Sequence, residues 1–180
     1  MKRKKKHLEQ QDVTPVKQGN RYTMEDSGTK PYIEAVHDLT VIKVDDGIVR
    51  DKSIKKCDYL CSVIDEKCVH LFELKTGKID DAYVQLATTP EAIQEHSSYQ
   101  TLLNDLDRLD AYIVSPLRVQ IPNNANEKKR RLCGKLARYC KCRPGNMMDL
   151  LKLVQVVPSC NGFVDRDGQI TCSNKFPLKM

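Results

Sequence analysis

Asp58, Glu73 and Lys75 bring two carboxylates and an ammonium into one short stretch of a 180-residue chain. They stand in the segments Lys55-Lys56-Cys57-Asp58-Tyr59-Leu60 and Leu71-Phe72-Glu73-Leu74-Lys75. Hard cations such as Mg²⁺ and Mn²⁺ take oxygen ligands, commonly one or two carboxylates completed by water and phosphate oxygens. A cation held in this way can activate water against a phosphodiester and stabilise the leaving oxygen. A neighbouring lysine would orient that water or offset charge growing on the phosphoryl oxygens. An acidic residue two positions before a lysine also occurs at Asp65-Glu66-Lys67 and Glu127-Lys128-Lys129, but both lie in polar stretches. Only Glu73-Leu74-Lys75 ends an apolar run, where uncompensated charge is costly. The plainer alternative is a strand end whose charges reach solvent as a weak surface pair.

Positioning the three groups requires an antiparallel hairpin. The run from Cys57 to Ile64 is apolar and β-prone, Asp65-Glu66-Lys67 is a polar break, and Val69 to Leu74 is apolar again. Glu73 and Lys75 then share a face, because side chains alternate along a strand. With the loop centred on Glu66-Lys67, Asp58 is expected opposite Lys75, with Glu73 as its diagonal neighbour. A one-residue slip would move Asp58 to the other face.

At these residues the chain resembles the PD-(D/E)xK, or restriction-endonuclease-like, nuclease superfamily, and more narrowly its small stand-alone bacterial and phage-type members. The likeness is carried by Val44-Asp45-Asp46-Gly47, Lys56-Cys57-Asp58-Tyr59-Leu60, Phe72-Glu73-Leu74-Lys75-Thr76-Gly77 and Ala82-Tyr83-Val84-Gln85-Leu86. It is good from about residue 41 to 89 and looser to about 157. One departure is Thr76, which displaces by one residue the glycine expected directly after Lys75. The resemblance implies an α/β fold whose central mixed sheet is flanked by helices. It implies Asp58 and Glu73 as ligands of Mg²⁺ or Mn²⁺, and Lys75 as the catalytic cation. Gln85, otherwise an exposed helix glutamine, would support the site. A further acidic residue would come from the first helix, with Glu34 the candidate and Asp38 the second.

Charge is distributed unevenly over a chain of net charge +6. Lys2 to Lys6 carry +5 and residues 127–143 carry +7, so the remainder is −6. Such a balance suits a polyanion bound along a basic track. In the second patch Leu132, Leu136 and Tyr139 recur at helical spacing, with Lys128, Arg131, Lys135 and Arg138 on the other side. These four, with Lys55 and Lys56, are the candidate nucleic-acid contacts; a solvated helix face is the alternative.

Three regions are expected: a basic tail without regular structure over 1–30, the nuclease-like domain over 31–157, and an extension over 158–180 with a small hairpin. Within the domain the pattern predicts a short helix near 31–38, strands at 39–50, 57–65 and 69–75, and a helix opening at Asp80-Asp81. A separate helical segment is predicted to begin at Pro90, with another from Tyr99 to Leu106. A buried strand over Ala111 to Pro116, the basic helix and a strand from Leu150 to Val157 complete an α/β layout. No stretch approaches the roughly 20 apolar residues a membrane span needs, and the basic start is not followed by an apolar run. The expected location is therefore the cytoplasm. The eight cysteines read as free thiols. Cys140-Lys141-Cys142 is not a paired zinc signature, and a disulfide scaffold does not suit a chain of this kind.

The expected activity is metal-dependent hydrolysis of DNA; the alternative is a non-catalytic module that binds nucleic acid or protein on the same fold. Double-strand cutting would suit a homodimer, and a separate partner protein could supply recognition.

Overall fold

The computed structural model describes residues 20–63, 66–95, 99–115, 120–141, 145, 150–155, 163–165, 168–170, 172 and 177–180. The alternating run Leu39–Lys43 (β3) pairs antiparallel with Tyr59–Val63 (β4), which pairs antiparallel with Cys68–Leu74 (β5). The helix Asp80–Glu95 (α1) then carries the chain to Arg108–Ser115 (β6), parallel to β5. A second helix, Ala125–Leu136 (α2), leads to Leu151–Gln155 (β7), parallel to β6. The five strands lie in the order β3-β4-β5-β6-β7. Both parallel crossovers advance the sheet in the same direction, so crossovers of the same hand put both helices on one face.

That face is a helix-covered core, in which Leu60, Leu71 and Ile113 of the sheet meet Leu86 and Ile93 of α1 and Leu136 of α2. The opposite face packs Val41, Cys61, Phe72 and Val114 against Met24, Ile33 and Leu178. Ile33 and Leu178 belong to a smaller mixed sheet of Arg21–Thr23 (β1), Tyr32–Glu34 (β2) and Leu178–Lys179 (β10), in the order β1-β2-β10, and Met24 directly follows β1. The protein is thus mixed α/β, with two mixed sheets and two helices among the described residues. No described helix is long and apolar enough to cross a membrane.

Several expectations need correction. The helix near 31–38 is instead β2: Tyr32, Ile33 and Glu34 alternate in burial, and Ile33 fills the second core. Residues 20–30 are not an irregular tail. They form β1 and a tight turn in which Asp26 and Thr29 exchange backbone hydrogen bonds, with positive φ at Ser27 and Gly28. Two consecutive positive φ values suit a two-residue hairpin turn. Because β1 and β10 flank β2, divisions at residues 30 and 157 cut through one sheet; residues 1–19 lie outside the described part. The C-terminal hairpin is present, with Phe163–Asp165 (β8) antiparallel to Gly168–Ile170 (β9).

Pro90 does not start a new segment but lies inside α1. Leu86, Thr89, Pro90 and Ile93 are all buried on one helical stripe, so core packing outweighs the hydrogen bond a proline removes. The segment after α1 is shorter than expected, a 3-10 turn at Gln100–Leu103.

The turn after β3 holds a steric constraint. Ile48 N–H donates to the Lys43 carbonyl at 3.2 Å, and a Cβ on Gly47 would lie 2.0 Å from that same oxygen. Gly47→Ala is therefore expected to destabilise the chain by about 1–3 kcal/mol, the range for forced overpacking. A urea midpoint unchanged by the substitution would refute this.

Candidate active site

The splaying of two strands makes the site. The β4–β5 ladder continues to Asp58, whose N–H donates to the Phe72 carbonyl at 3.1 Å. One residue earlier the chain leaves the sheet, because Cys57 N–H donates to Thr89 Oγ1 on α1 at 2.8 Å. The next ladder position on β5, Leu74 N–H, is thereby left without a backbone partner on β4. The side chain of Asp58 takes that place, its Oδ2 accepting from Leu74 N at 2.7 Å. The fork between β4 and β5 is filled by a carboxylate instead of backbone.

The register corrects one expectation. Tyr59 faces Phe72 and Leu60 faces Leu71, a different register from the one that would set Asp58 opposite Lys75, and Asp58 itself donates to the Phe72 carbonyl. The offset is two residues, which preserves the face. Glu73 and Lys75 therefore remain on the face of Leu71, toward α1, where Lys75 meets Gln85.

Glu73 is 1% exposed. Its Oε1 lies 2.6 Å from Lys75 Nζ, while its Oε2 is buried with no hydrogen-bond partner. Burial pushes its carboxyl up to about 8; the Asp58 charge adds to the rise and Lys75 opposes it. Asp58 is raised to about 6, again chiefly by burial, with the Leu74 hydrogen bond opposing. One ammonium thus pairs with Glu73 and acts on Asp58 through its charge alone, and one oxygen of Glu73 has no donor. This arrangement costs stability in the absence of a further cation.

Gln85 joins the site from α1. Its Oε1 accepts from Lys75 Nζ at 2.6 Å and its Nε2 donates to the Lys56 carbonyl at 3.1 Å. Thr89 Oγ1, already accepting from Cys57, donates to the Gln85 carbonyl at 2.6 Å. Helix, strand start and lysine are therefore held as one unit.

The other candidates are distributed differently. Glu34 lies in β2, where Lys179 and Arg21 bind its carboxylate; the Lys179 hydrogen bond is the main cause that holds its carboxyl below the usual range. Asp38 is exposed ahead of β3. The acidic residue whose charge acts on both Asp58 and Glu73 is Asp26, at the tip of the N-terminal turn. Tyr59 holds that turn in place, its hydroxyl donating to the Glu25 carbonyl at 2.8 Å. Asp45, in the turn after β3, also raises Asp58. Neither Asp26 nor Asp45 was singled out from the sequence as a site residue. The only local signal was the turn motif Asp26-Ser27-Gly28-Thr29, which says nothing about what the turn reaches.

Lys56 is not available to a ligand. Its ammonium, 4% exposed, bonds the carbonyls of Asp51 and Ile54 and the carboxylate of Asp45. Lys55 is exposed and pairs with Asp81 at 2.8 Å. Lys128 pairs with Asp80 in the first turn of α1, and Arg131 with Glu127 one helical turn earlier. Lys135, in α2, is half-buried, and Arg138, in the 3-10 turn Ala137–Tyr139 that follows it, is exposed. Of the cysteines, Cys133 lies in the helix-side core and Cys172 in the opposite one, so these two cannot share a zinc ion. Cys142 and Cys160 lie outside the described residues.

Among the described residues no group of three or more His, Cys, Asp or Glu side chains is arranged to hold a metal ion. The pair Asp58 and Glu73 does fit a hard divalent cation by donor type and by the unpartnered buried oxygen of Glu73, since Mg²⁺ needs only one or two carboxylates from the protein. No protein-family model, curated protein or solved structure matches the chain.

Proposed function

We propose that this chain is a divalent-metal-dependent nuclease that hydrolyses phosphodiester bonds of DNA, on a restriction-endonuclease-like core. One observation carries the reading: Asp58 and Glu73 are buried side by side at a strand fork with their carboxyls raised, against Lys75 and Gln85. A structural ion pair would not need a second carboxylate or leave an oxygen without a donor. The three antiparallel strands, the helix and the parallel strand that follow one another through β6 support the core that the resemblance implies.

Asp58 and Glu73 would hold Mg²⁺ or Mn²⁺, which supplies Lewis-acid activation of water and of the phosphoryl oxygens when bound. Lys75 is held by Glu73 and Gln85, so its ammonium is fixed before substrate arrives. An ammonium fixed in this way stabilises charge on a phosphoryl oxygen without reorganising during the reaction. Gln85 is a positioning residue: it orients Lys75 and ties the site to the chain ahead of Asp58. Lys135 and Arg138 supply positive charge for the strand beyond the site, with Lys55, Lys128 and Arg131 once their exposed pairs open.

The test offers single- and double-stranded DNA and RNA to the purified chain with Mg²⁺, Mn²⁺ or EDTA. Cleavage of DNA is expected with either metal and none in EDTA. Cleavage that persists in EDTA, or none on any substrate together with no metal binding by calorimetry, would reject the reading in favour of a binding module.

A further inference from the structure

A cleft adjoins the site on the side of Gln85. It encloses about 300 Å³ and is lined by Asp45, Asp46, Lys52, Ile54, Lys55, Lys56 and Gln85. Gln85 belongs to both places, since the amide that holds Lys75 also forms part of this wall. Whatever occupies the cleft is therefore one side chain away from the proposed catalytic lysine.

The lining has a mixed character with a defined chemical meaning. Lys52 is 83% exposed at the side chain and only loosely paired with Asp46, at 3.7 Å. Lys55 meets Asp81 in an exposed pair, which is weak in water and easily exchanged for a phosphate. Asp45 is already neutralised by Lys56. Two ammoniums can thus reach an anion at the cleft mouth, while Ile54 offers an apolar surface and the acids offer acceptors. A nucleotide of adenine, guanine or cytosine presents the matching groups: a phosphate, a flat base face and an exocyclic amino donor. The volume is at the small end of ligand cavities, which suits one nucleotide and not a duplex.

We propose that this cleft is the subsite for one unpaired nucleotide of the substrate strand, next to the phosphodiester that is cut. The inference rests on the nuclease reading and adds a substrate class to it. A base must leave its stack to enter a concave cleft, which costs least where the strand is already single. Single-stranded DNA, or a junction with an unpaired nucleotide, is then preferred over a continuous duplex.

Binding can be measured apart from cleavage, by fluorescence anisotropy in EDTA with a labelled single-stranded oligonucleotide and the matching duplex. The single strand should bind more tightly. Lys52→Ala should weaken it about threefold to fivefold, the effect of one exposed ion pair, and lower the salt slope by about one. Lys52→Glu should weaken it further, and a free nucleoside monophosphate should compete. Lys52 lies on the surface, so neither change threatens the fold. Equal affinity for both substrates, or a single-strand affinity and salt slope untouched by both variants, would overturn the subsite. Cleavage by the unmodified chain in Mg²⁺ is measured in parallel. If it cuts DNA while the variants bind normally, the subsite fails and the nuclease stands. If it binds single strands through Lys52 without cutting, the nuclease reading fails, and the cleft is a single-strand binding site with no scissile bond beside it.

Discussion

Glu73→Gln is expected to abolish cleavage and, in the same protein, to raise its thermal stability above pH 7 in EDTA. The two effects have one cause. Glu73 is buried, is raised to about 8 and has an oxygen without a donor, so its ionised form weakens the fold. Glutamine has nearly the same shape, carries no charge, and its carbonyl can still accept from Lys75 Nζ. Removing a fixed electrostatic contact to developing charge typically costs about 10²–10³-fold in rate, and loss of a metal ligand should cost at least that. Lys75→Met is expected to lose cleavage too, but with the opposite effect on stability. It leaves two buried carboxylates without the cation that acts on both, and breaking a buried pair costs about 3–5 kcal/mol when the partner stays charged. The penalty should be largest above pH 8 and smaller at pH 6, where Glu73 is protonated. A residue kept at a cost to stability is one whose role lies in function. If Glu73→Gln cleaves at the unmodified rate, or if both variants destabilise alike, the carboxylate pair is structural and the nuclease assignment is wrong.

The sequence revealed the face of these residues more reliably than their partners. Leu60, Leu71 and Glu73 fall on the helix side because apolar alternation fixes parity, and parity survives a two-residue error in the loop. Which residue stands opposite Asp58 depends on where the hairpin closes. The polar run Asp65-Glu66-Lys67 suggested a centre at Glu66-Lys67, yet Cys68 already pairs with Val63. The α1–β6–α2–β7 order was legible for the same reason: long apolar stripes and a β-branched run. Pro90 was misread because a local rule for proline ignores the buried stripe that continues through it. Lys56 shows a different limit. Its type and position beside Asp58 suggested substrate contact, but only the fold shows two carbonyls and Asp45 converging on its ammonium. Asp26 was illegible for the converse reason. It reaches the site through a contact between distant segments, Tyr59 and Glu25, that no local pattern encodes.

Between pH 6.5 and 8, the stability of the metal-free chain is expected to fall as pH rises. Glu73 shifts from 4.5 to about 8 on folding and Asp58 from 3.8 to about 6. Over that interval the folded state holds a proton on Glu73 that the unfolded state has lost, so raising the pH favours unfolding. The contribution of these raised carboxyls is complete below pH 3.8 and is gone once pH passes about 8. Within this window Glu73 is the carboxyl whose protonation changes most. Buried His70, lowered from 6.5 to about 4, works in the opposite sense, and its contribution fades above pH 6.5 as the unfolded imidazole loses its proton. The buried thiols, raised from 9.0, contribute only above pH 8. Calorimetry should therefore show a declining Tm across this window for the unmodified chain and no decline for Glu73→Gln. For a chain of this size each kcal/mol corresponds to about 2–4 °C. Mn²⁺ or Mg²⁺ should remove the decline, because a cation bound only by the folded carboxylates stabilises by about 2.7 kcal/mol at a hundredfold excess over Kd. Its binding also displaces the proton that Glu73 carries, so the gain in Tm should grow from pH 6.5 to pH 8. A metal-induced gain that is the same at both pH values, or that persists in Glu73→Gln, would place the cation elsewhere. No gain at either pH would mean that Asp58 and Glu73 form a strained pair without a metal, and that phosphodiester chemistry has no site here.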